Sequence, residues 1–136
     1  MIRAYFDSSA ILKLSGAEAE SGALIDYLQD TAIQASTSVI AEVEVLRNLR
    51  KFPVESDHAM AGFYLLAVDD EVRRQAIGVD SETLRSLDAL HIATALAVGD
   101  RDLHFVTYDN RQAQAARRAG LTVVQPGRPP GFGAAG

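Results

Sequence analysis

Short β-prone runs alternate with helical patterns along almost the whole chain, and this alternation limits the folds available to it. Apolar runs of strand length occupy residues 2–6, 32–36, 63–68, 103–108 and 121–126. Helical spacing, or the residues that begin and end helices, covers residues 17–30, 38–51, 54–62, 69–77, 81–99 and 110–119. This order predicts an α/β fold, a three-layer α/β/α sandwich with a mostly parallel central sheet.

Local signals predict several boundaries. Ser38 is a candidate N-cap for a helix that is expected to run to about residue 51, where Pro53 should end it. Asp69 is expected to start the helix over 69–77, and Gly99 is expected to end the helix over 81–99. The run "FYLLAV" (63–68) is almost wholly apolar, which predicts a buried strand.

The length and composition describe one ordinary domain. The chain has 136 residues, of which 48% are hydrophobic and 23% charged, as is typical of globular proteins. No apolar run approaches the ~20 residues that cross a bilayer. The N-terminus, "MIRAYFDSSAILKL", has acid and serine where a signal peptide would continue its apolar stretch, so we expect an uncleaved, cytoplasmic protein. Residues 1–127 are expected to form the domain, and the Gly/Pro-rich residues 128–136 a flexible tail.

The charge and the missing cysteines restrict the possible ligands. A net charge of −5 argues against non-specific coating of nucleic acid but leaves nucleic acid open as a substrate. The basic residues form local clusters, at Arg47, Arg50 and Lys51, at Arg73 and Arg74, and at Arg111, Arg117 and Arg118. Because the chain has no cysteine, any metal would be held mainly by oxygen atoms, which favours Mg²⁺ or Mn²⁺ over zinc.

Acidic residues stand where the predicted elements meet. Asp7 ends the first strand, Asp109 ends the fourth, and Asp88 lies near the start of a helix, while Glu42 or Glu44 would supply a fourth carboxylate. The carboxyl ends of parallel strands share one edge of a sheet, so these acids are expected to meet there. Clustered carboxylates repel one another unless a cation neutralises them, which suggests metal-dependent phosphoryl chemistry. Each acid alone has a plainer explanation, as a helix N-cap or a partner of the helix dipole.

Several polar residues accompany these acids. His91 follows Asp88 by three residues on one helix face, and is either a ligand or, as the apolar run "ALHIATALAV" favours, a packed and hydrogen-bonded histidine. Ser9 either caps the first helix or holds a metal-bound water. Thr107 is placed to orient Asp109.

Four sequence blocks carry a family resemblance. "YFDSSAILKL", "TSVIAEVEVLRNLR", "LRSLDALHIATA" and "FVTYDNRQAQAARRAGLTVVQPG" resemble, in order, the blocks of PIN-domain proteins, and more narrowly those of VapC toxins from bacterial toxin–antitoxin pairs. The resemblance implies an endoribonuclease that depends on Mg²⁺ or Mn²⁺. It also implies a homodimer that a small VapB-like antitoxin neutralises.

The same resemblance assigns the site residues. The first, third and fourth acids of the family fall on Asp7, Asp88 and Asp109, and the serine two positions after the first acid falls on Ser9. The second acid is expected six residues after a serine that opens the helix. That position is Glu44, counted from Ser38.

Two observations bear on the choice between the glutamates. An arginine commonly follows the family's second acid by three residues, as Arg47 follows Glu44. A helical wheel points the other way, because Glu42 lies within the broad apolar arc that includes Val39 and Val43. We assign Glu44 to the site and leave Glu42 to the helix dipole.

The expected substrate is a folded RNA loop, such as one in tRNA or rRNA, whose cleavage would inhibit translation. Arg47 and Arg85 are either phosphate contacts or parts of solvated helix faces. Three alternatives remain open, namely a non-catalytic PIN-like binding module, a metal hydrolase that acts on DNA or phosphate esters, and a receiver-like domain. The receiver-like pattern requires a lysine at the end of a late strand, where this chain has Asp109 or Pro126.

Overall fold

A five-stranded parallel sheet forms the centre of the protein, in a computed structural model that describes residues 1–30, 32–79 and 83–129. The strands are β1 (Ile2–Phe6), β2 (Ile33–Ser38), β3 (Tyr64–Leu66), β4 (His104–Val106) and β5 (Thr122–Val124). They lie in the order β3-β2-β1-β4-β5, and every neighbouring pair is parallel. Because the winding direction changes beside β1, the C-terminal ends of β1 and β4 lie next to each other, where ligands bind in such sheets.

Helices connect these strands and cover the sheet. They are α1 (Ser8–Ser15), α2 (Ser21–Gln29), α3 (Val39–Asn48), α4 (Pro53–His58), α5 (Asp70–Ile77), α6 (Ser86–Ala97) and α7 (Asn110–Arg118). The predicted helix over 81–99 begins at Ser86, and residues 81 and 82 lie outside the described residues. Within the described ranges, no helix is long and apolar enough to traverse a bilayer.

The alternation of side chains along β1 creates two cores. Ala4 and Phe6 pack on one face of the sheet with residues of α1, α2 and α3. Tyr5 points to the opposite face, where it packs with residues of α6 and α7. Full burial of a side chain such as Phe6 contributes about 1.5–3 kcal/mol to stability. The predicted three-layer α/β/α architecture is therefore confirmed.

The prediction of a buried strand over 63–68 is wrong. The strand, β3, is an edge strand with three residues, and Tyr64 and Leu65 are 62% and 43% exposed. An apolar run does not reveal where in the sheet its strand will lie, because the strand order depends on non-local crossovers.

The end of α3 also differs from the prediction. The helix ends at Asn48, with Leu49 as its C-cap, rather than near residue 51. Pro53 does not terminate it but opens α4, since proline suits the first turn of a helix, where its missing N–H would have no partner. The predicted N-cap Ser38 is confirmed, because its side chain accepts a hydrogen bond from Ala41 N. Asp69, predicted to start the next helix, is the N-cap of α5 and accepts a hydrogen bond from Val72 N.

The chain after β5 is fastened to the loop that follows β4. Tyr108 donates its hydroxyl to the Pro126 carbonyl at 2.7 Å, and Arg128 Nη1 donates to the Tyr108 carbonyl at 3.0 Å. Gly127 has a φ of +88°, and a Cβ there would lie 3.1 Å from Glu20 Cα, so a glycine is needed. Of the predicted tail, Arg128 is thus anchored, while residues 130–136 lie outside the described residues.

Candidate active site

An open cleft of about 380 Å³ lies at the C-terminal edge of the sheet. Its lining brings together residues from β1–α1, α3, α6 and the loop after β4. They are Asp7, Ser8, Ser9, Leu12, Glu44, Asn48, Arg85, Ser86, Leu87, Asp88 and Asp109. The four acids predicted for the site therefore share one cleft, as the shared edge of parallel strands requires.

Asp7 is the most deeply placed acid. It follows β1, is 3% exposed, and caps α1 by accepting a hydrogen bond from Ala10 N at 3.1 Å. Ser9 Oγ donates to Asp7 Oδ1 at 2.6 Å, and Thr107 Oγ1 donates to Asp7 Oδ2. Burial raises the pKa of Asp7, although the nearby His91 and these donors oppose the shift. The carboxylate is held in one orientation at a cost in desolvation.

Ser9 and Thr107 join Asp7 to the loop that carries Asp109. Ser9 Oγ accepts a hydrogen bond from Tyr108 N at 3.0 Å, and Thr107 Oγ1 accepts one from Asp109 N at 3.1 Å. Ser9 and Thr107 therefore orient the acids, as residues that hydrogen-bond to metal ligands commonly do.

Asp109 begins α7 much as Asp7 begins α1. Its Oδ1 accepts hydrogen bonds from Arg111 N at 2.9 Å and Gln112 N at 3.2 Å. Asp7 and Asp109 each cap a helix and also line the cleft, so the role of N-cap does not exclude a role in the site.

Asp88 lies in the first turn of α6 and faces the other acids. Its pKa is raised, first by partial burial and then by the negative charge of Asp109, while the positive charge of Arg85 opposes the shift. Glu44 adds a smaller repulsion. Asp88, whose pKa is raised by burial and by neighbouring carboxylates, therefore lies where a cation would be stabilising.

Glu44 reaches the cleft from α3. Its Oε1 accepts hydrogen bonds from Ser8 Oγ at 2.9 Å and from His91 Nε2 at 2.7 Å. Partial burial alone would raise the pKa of Glu44, but His91 and Ser8 lower it below its ordinary value. Of the two candidate glutamates, Glu44 lines the cleft, whereas Glu42 is not part of the lining that the structure describes.

The apolar arc that favoured Glu42 is only partly buried, at Leu49, which is 9% exposed. Val39 and Val43 are 37% and 56% exposed, while α3 buries Ala41 and Val45. Of the two arginines considered as phosphate contacts, Arg85 lines the cleft. Arg47 is exposed and is outside the described cleft lining.

His91 is packed and hydrogen-bonded, as predicted, but its partners were not foreseen. It is 1% exposed and joins Tyr5 Oη, 2.7 Å from Nδ1, to Glu44. Sequence reasoning also missed the hydrogen bond from Ser8 to Glu44. The only sequence signal was the polar residue His91 in the middle of an apolar run, which required a buried partner.

The donors of the cleft suit a hard divalent cation. No three Asp, Glu or His side chains in the described part of the chain converge closely enough to share one ion. The ligands that the cleft offers are nevertheless carboxylate oxygens. Among the described residues, the hydrogen bonds of Glu44 go to Oε1 and those of Asp109 go to Oδ1, so Glu44 Oε2 and Asp109 Oδ2 remain for a cation or its water. With burial, and then repulsion from Asp109, raising the pKa of Asp88, these residues fit a cation held partly through water.

Comparisons with known proteins agree with this architecture. The sequence model of the PIN domain family matches residues 4–118 of this chain. Ribonuclease VapC35 of Mycobacterium tuberculosis is 39% identical over 131 residues, which cover 91% of this chain and 97% of the relative.

Two solved structures share the fold. A toxin-antitoxin complex from Klebsiella pneumoniae contains a chain with a TM-score of 0.71 and 24% identity, and the match covers 90% of this chain and 97% of that one. VapC20 of Mycobacterium tuberculosis, described as a sarcin-ricin loop cleaving toxin, has a TM-score of 0.70 and 18% identity, with 90% and 99% covered. By its matched residues and its relatives, the chain belongs to the PIN domain family.

Proposed function

We propose that this protein is a divalent-cation-dependent endoribonuclease and the toxin of a toxin–antitoxin pair. The observation that carries the proposal is the cleft in which Asp7, Glu44, Asp88 and Asp109 lie together. The name of the 39% identical relative, a VapC ribonuclease, supports the reaction class.

Each acid would have a stated part in the reaction. Asp7, Glu44, Asp88 and Asp109 would hold Mg²⁺ or Mn²⁺, directly or through water. A bound divalent ion supplies an activated water and stabilises the charge that develops at phosphorus. Ser9 and Thr107 keep the Asp7 carboxylate fixed, so that little reorganisation is needed when the cation binds.

The substrate would be a folded RNA loop. Such a loop offers splayed bases and a phosphate backbone, which an open cleft can admit. Arg85, which lines the cleft, would contact a phosphate of the RNA. The relative VapC20 is described as cleaving the sarcin-ricin loop, a substrate of this class.

The proposed partners follow the family. A VapB-like antitoxin would cover the toxin, and two toxin chains would form a homodimer. The structures of toxin–antitoxin complexes that share the fold support an antitoxin partner. The proposed location is the cytoplasm, where RNA targets and antitoxin are both present.

The test of the reaction class compares substrates and variants. The purified protein, with Mn²⁺ added, should cleave structured RNA and should leave DNA and small phosphate esters intact. Asp88→Asn should fold normally and lose cleavage, because it removes a charge that the cation needs. Wild-type protein that cuts no RNA at any metal concentration while still binding a partner would instead indicate a non-catalytic binding module.

The test of the toxin role uses cells. RNA ends sequenced after induction should show a narrow set of new cleavage sites, absent when Asp7→Asn is induced. Unchanged RNA ends, together with normal growth, would contradict the toxin role.

A further inference from the structure

A buried pair of side chains lies behind the cleft. Tyr5, on β1, is fully buried, and its ring stacks on Phe105 with centroids 5.5 Å apart. Its hydroxyl oxygen is 2.7 Å from Nδ1 of His91, which is 1% exposed. His91 Nε2 then contacts Oε1 of Glu44 at 2.7 Å. An uninterrupted hydrogen-bonded chain thus runs from the core of the sheet to an acid of the cleft.

The direction of these hydrogen bonds follows from the groups involved. An ionised carboxylate only accepts, so Nε2 of His91 must carry the hydrogen that it shares with Glu44. When the ring carries no second hydrogen, Nδ1 is an acceptor and the Tyr5 hydroxyl donates to it. Tyr5 and Glu44 therefore hold the His91 ring from its two nitrogens, Tyr5 at Nδ1 and Glu44 at Nε2.

Glu44 depends on this contact for its orientation. The carboxylate is on a helix surface, its side chain is 27% exposed, and a glutamate has several rotatable bonds. His91 and Ser8 both bind Oε1, and no hydrogen bond to Oε2 is recorded among the described residues. The side chain is thereby fixed by one oxygen while the other remains available toward the cleft.

We propose that Tyr5 and His91 are positioning residues, which hold Glu44 in the one orientation that presents an oxygen to the divalent cation. This inference rests on the proposed function only in taking Glu44 to be one of the acids that bind the cation. Neither Tyr5 nor His91 lines the cleft among the described residues, so both act through Glu44.

The chain contains a matched control for the loss of the Tyr5 hydroxyl. Tyr27 Oη is 2.8 Å from Nδ1 of His104, and the two rings are stacked with centroids 6.0 Å apart. His104 is the first residue of β4, at the opposite end of the strand from Thr107 and Asp109. Tyr27→Phe therefore deletes the same kind of Tyr–His hydrogen bond at a distance from the cleft.

The experiment compares Tyr5→Phe, Tyr27→Phe and wild type in calorimetric titrations with Mn²⁺ alone, after circular dichroism has shown that each is folded. Loss of a group that orients a metal ligand typically lowers affinity about 10-fold or more. We expect that loss in Tyr5→Phe, together with a lower kcat on RNA, and an unchanged Mn²⁺ affinity in Tyr27→Phe. Equal Mn²⁺ affinity in all three proteins would overturn the inference, and so would equal losses in both variants.

Imidazole nitrogen NMR supplies a readout that needs neither metal nor activity. In wild type, Nε2 of the His91 ring should carry hydrogen and Nδ1 should show the shift of a hydrogen-bonded acceptor, and the shift at Nδ1 should be lost in Tyr5→Phe. A ring that carries hydrogen on Nδ1 in wild type would overturn the inference. If wild type neither binds Mn²⁺ nor cleaves RNA, the proposed function fails, and the Nδ1 shift still reports whether Tyr5 orients His91.

Conservative substitutions separate positioning from packing. His91→Gln keeps a donor within reach of Glu44, whereas His91→Leu fills the space without one. We expect His91→Gln to recover part of the Mn²⁺ affinity that His91→Leu loses. The same affinity in both variants would mean that His91 serves packing alone, which contradicts the inference.

Discussion

Thr107→Val measures how strongly one hydroxyl supports the candidate site. Thr107 is fully buried, its Oγ1 donates to Asp7 Oδ2, and it accepts from Asp109 N at 3.1 Å. Valine keeps the shape but offers neither donor nor acceptor. A hydrogen bond to a charged group is worth about 1.5–3 kcal/mol and one to a neutral group about 1 kcal/mol. We therefore expect the free energy of unfolding to fall by about 3 kcal/mol.

Thr37→Val is the matched control. Thr37 is also fully buried, but the partners of its hydroxyl are neutral, namely the Phe6 carbonyl at 2.6 Å and the Tyr5 hydroxyl. Its loss should cost about 1 kcal/mol. For a chain of this size, 1 kcal/mol lowers Tm by about 3 °C, so thermal and urea unfolding, followed by circular dichroism, would resolve the two variants.

The outcome decides whether the Thr107 hydroxyl is bonded as described. Equal losses of stability in the two valine variants would refute the reasoning, because they would show no added cost of a carboxylate left without its donor. The Mn²⁺ affinity should also fall about 10-fold in Thr107→Val. Thr107→Ser should restore both the stability and the affinity, since it returns the hydroxyl.

Three other measurements address the acids. Glu44→Gln should abolish Mn²⁺-dependent RNA cleavage while Glu42→Gln largely retains it, and the reverse result would overturn the choice of Glu44. Added Mn²⁺ should stabilise the wild type by about 2.7 kcal/mol at a hundred-fold excess over Kd, and EDTA should remove the effect; no shift in urea midpoint would contradict a cation site. The hydrogen bond from Lys13 keeps the pKa of Glu20 below its ordinary 4.5. The stability that ionised Glu20 provides is therefore present above pH 4.5 and is lost as the pH falls through the lowered pKa. Urea midpoints measured between about pH 6 and pH 3 should fall less steeply in Glu20→Gln than in wild type.

Features that depend on neighbouring residues could be predicted from the sequence. Ser38 and Asp69 are N-caps because a short polar side chain can reach the first free N–H groups of its own helix. The prediction of a strand before Asp7 is confirmed for a similar reason, since a run of β-prone residues bounded by a capping acid has few other local conformations. The parallel sheet then followed from the alternation of elements.

Features that depend on distant parts of the chain could not be predicted in the same way. The exposure of β3 follows from its place at the edge of the sheet, which the later crossovers determine. The contact of His91 with Glu44 joins residues 47 positions apart and requires α3 and α6 to dock in one particular orientation. The helical wheel failed for α3 because Val39 and Val43 are exposed, although their hydrophobicity resembles that of core residues.

The hydrogen bond between Asp7 and Thr107 also has a consequence for the timing of synthesis. The two residues are 100 positions apart, and Asp109 is made later still. A ribosome releases β1, β2 and β3 well before β4, so an unfinished chain lacks both the anchor of its first acid and its last acid. Closing so long a loop is also slow in comparison with forming local contacts. The cleft therefore assembles only when nearly all of the domain has left the ribosome.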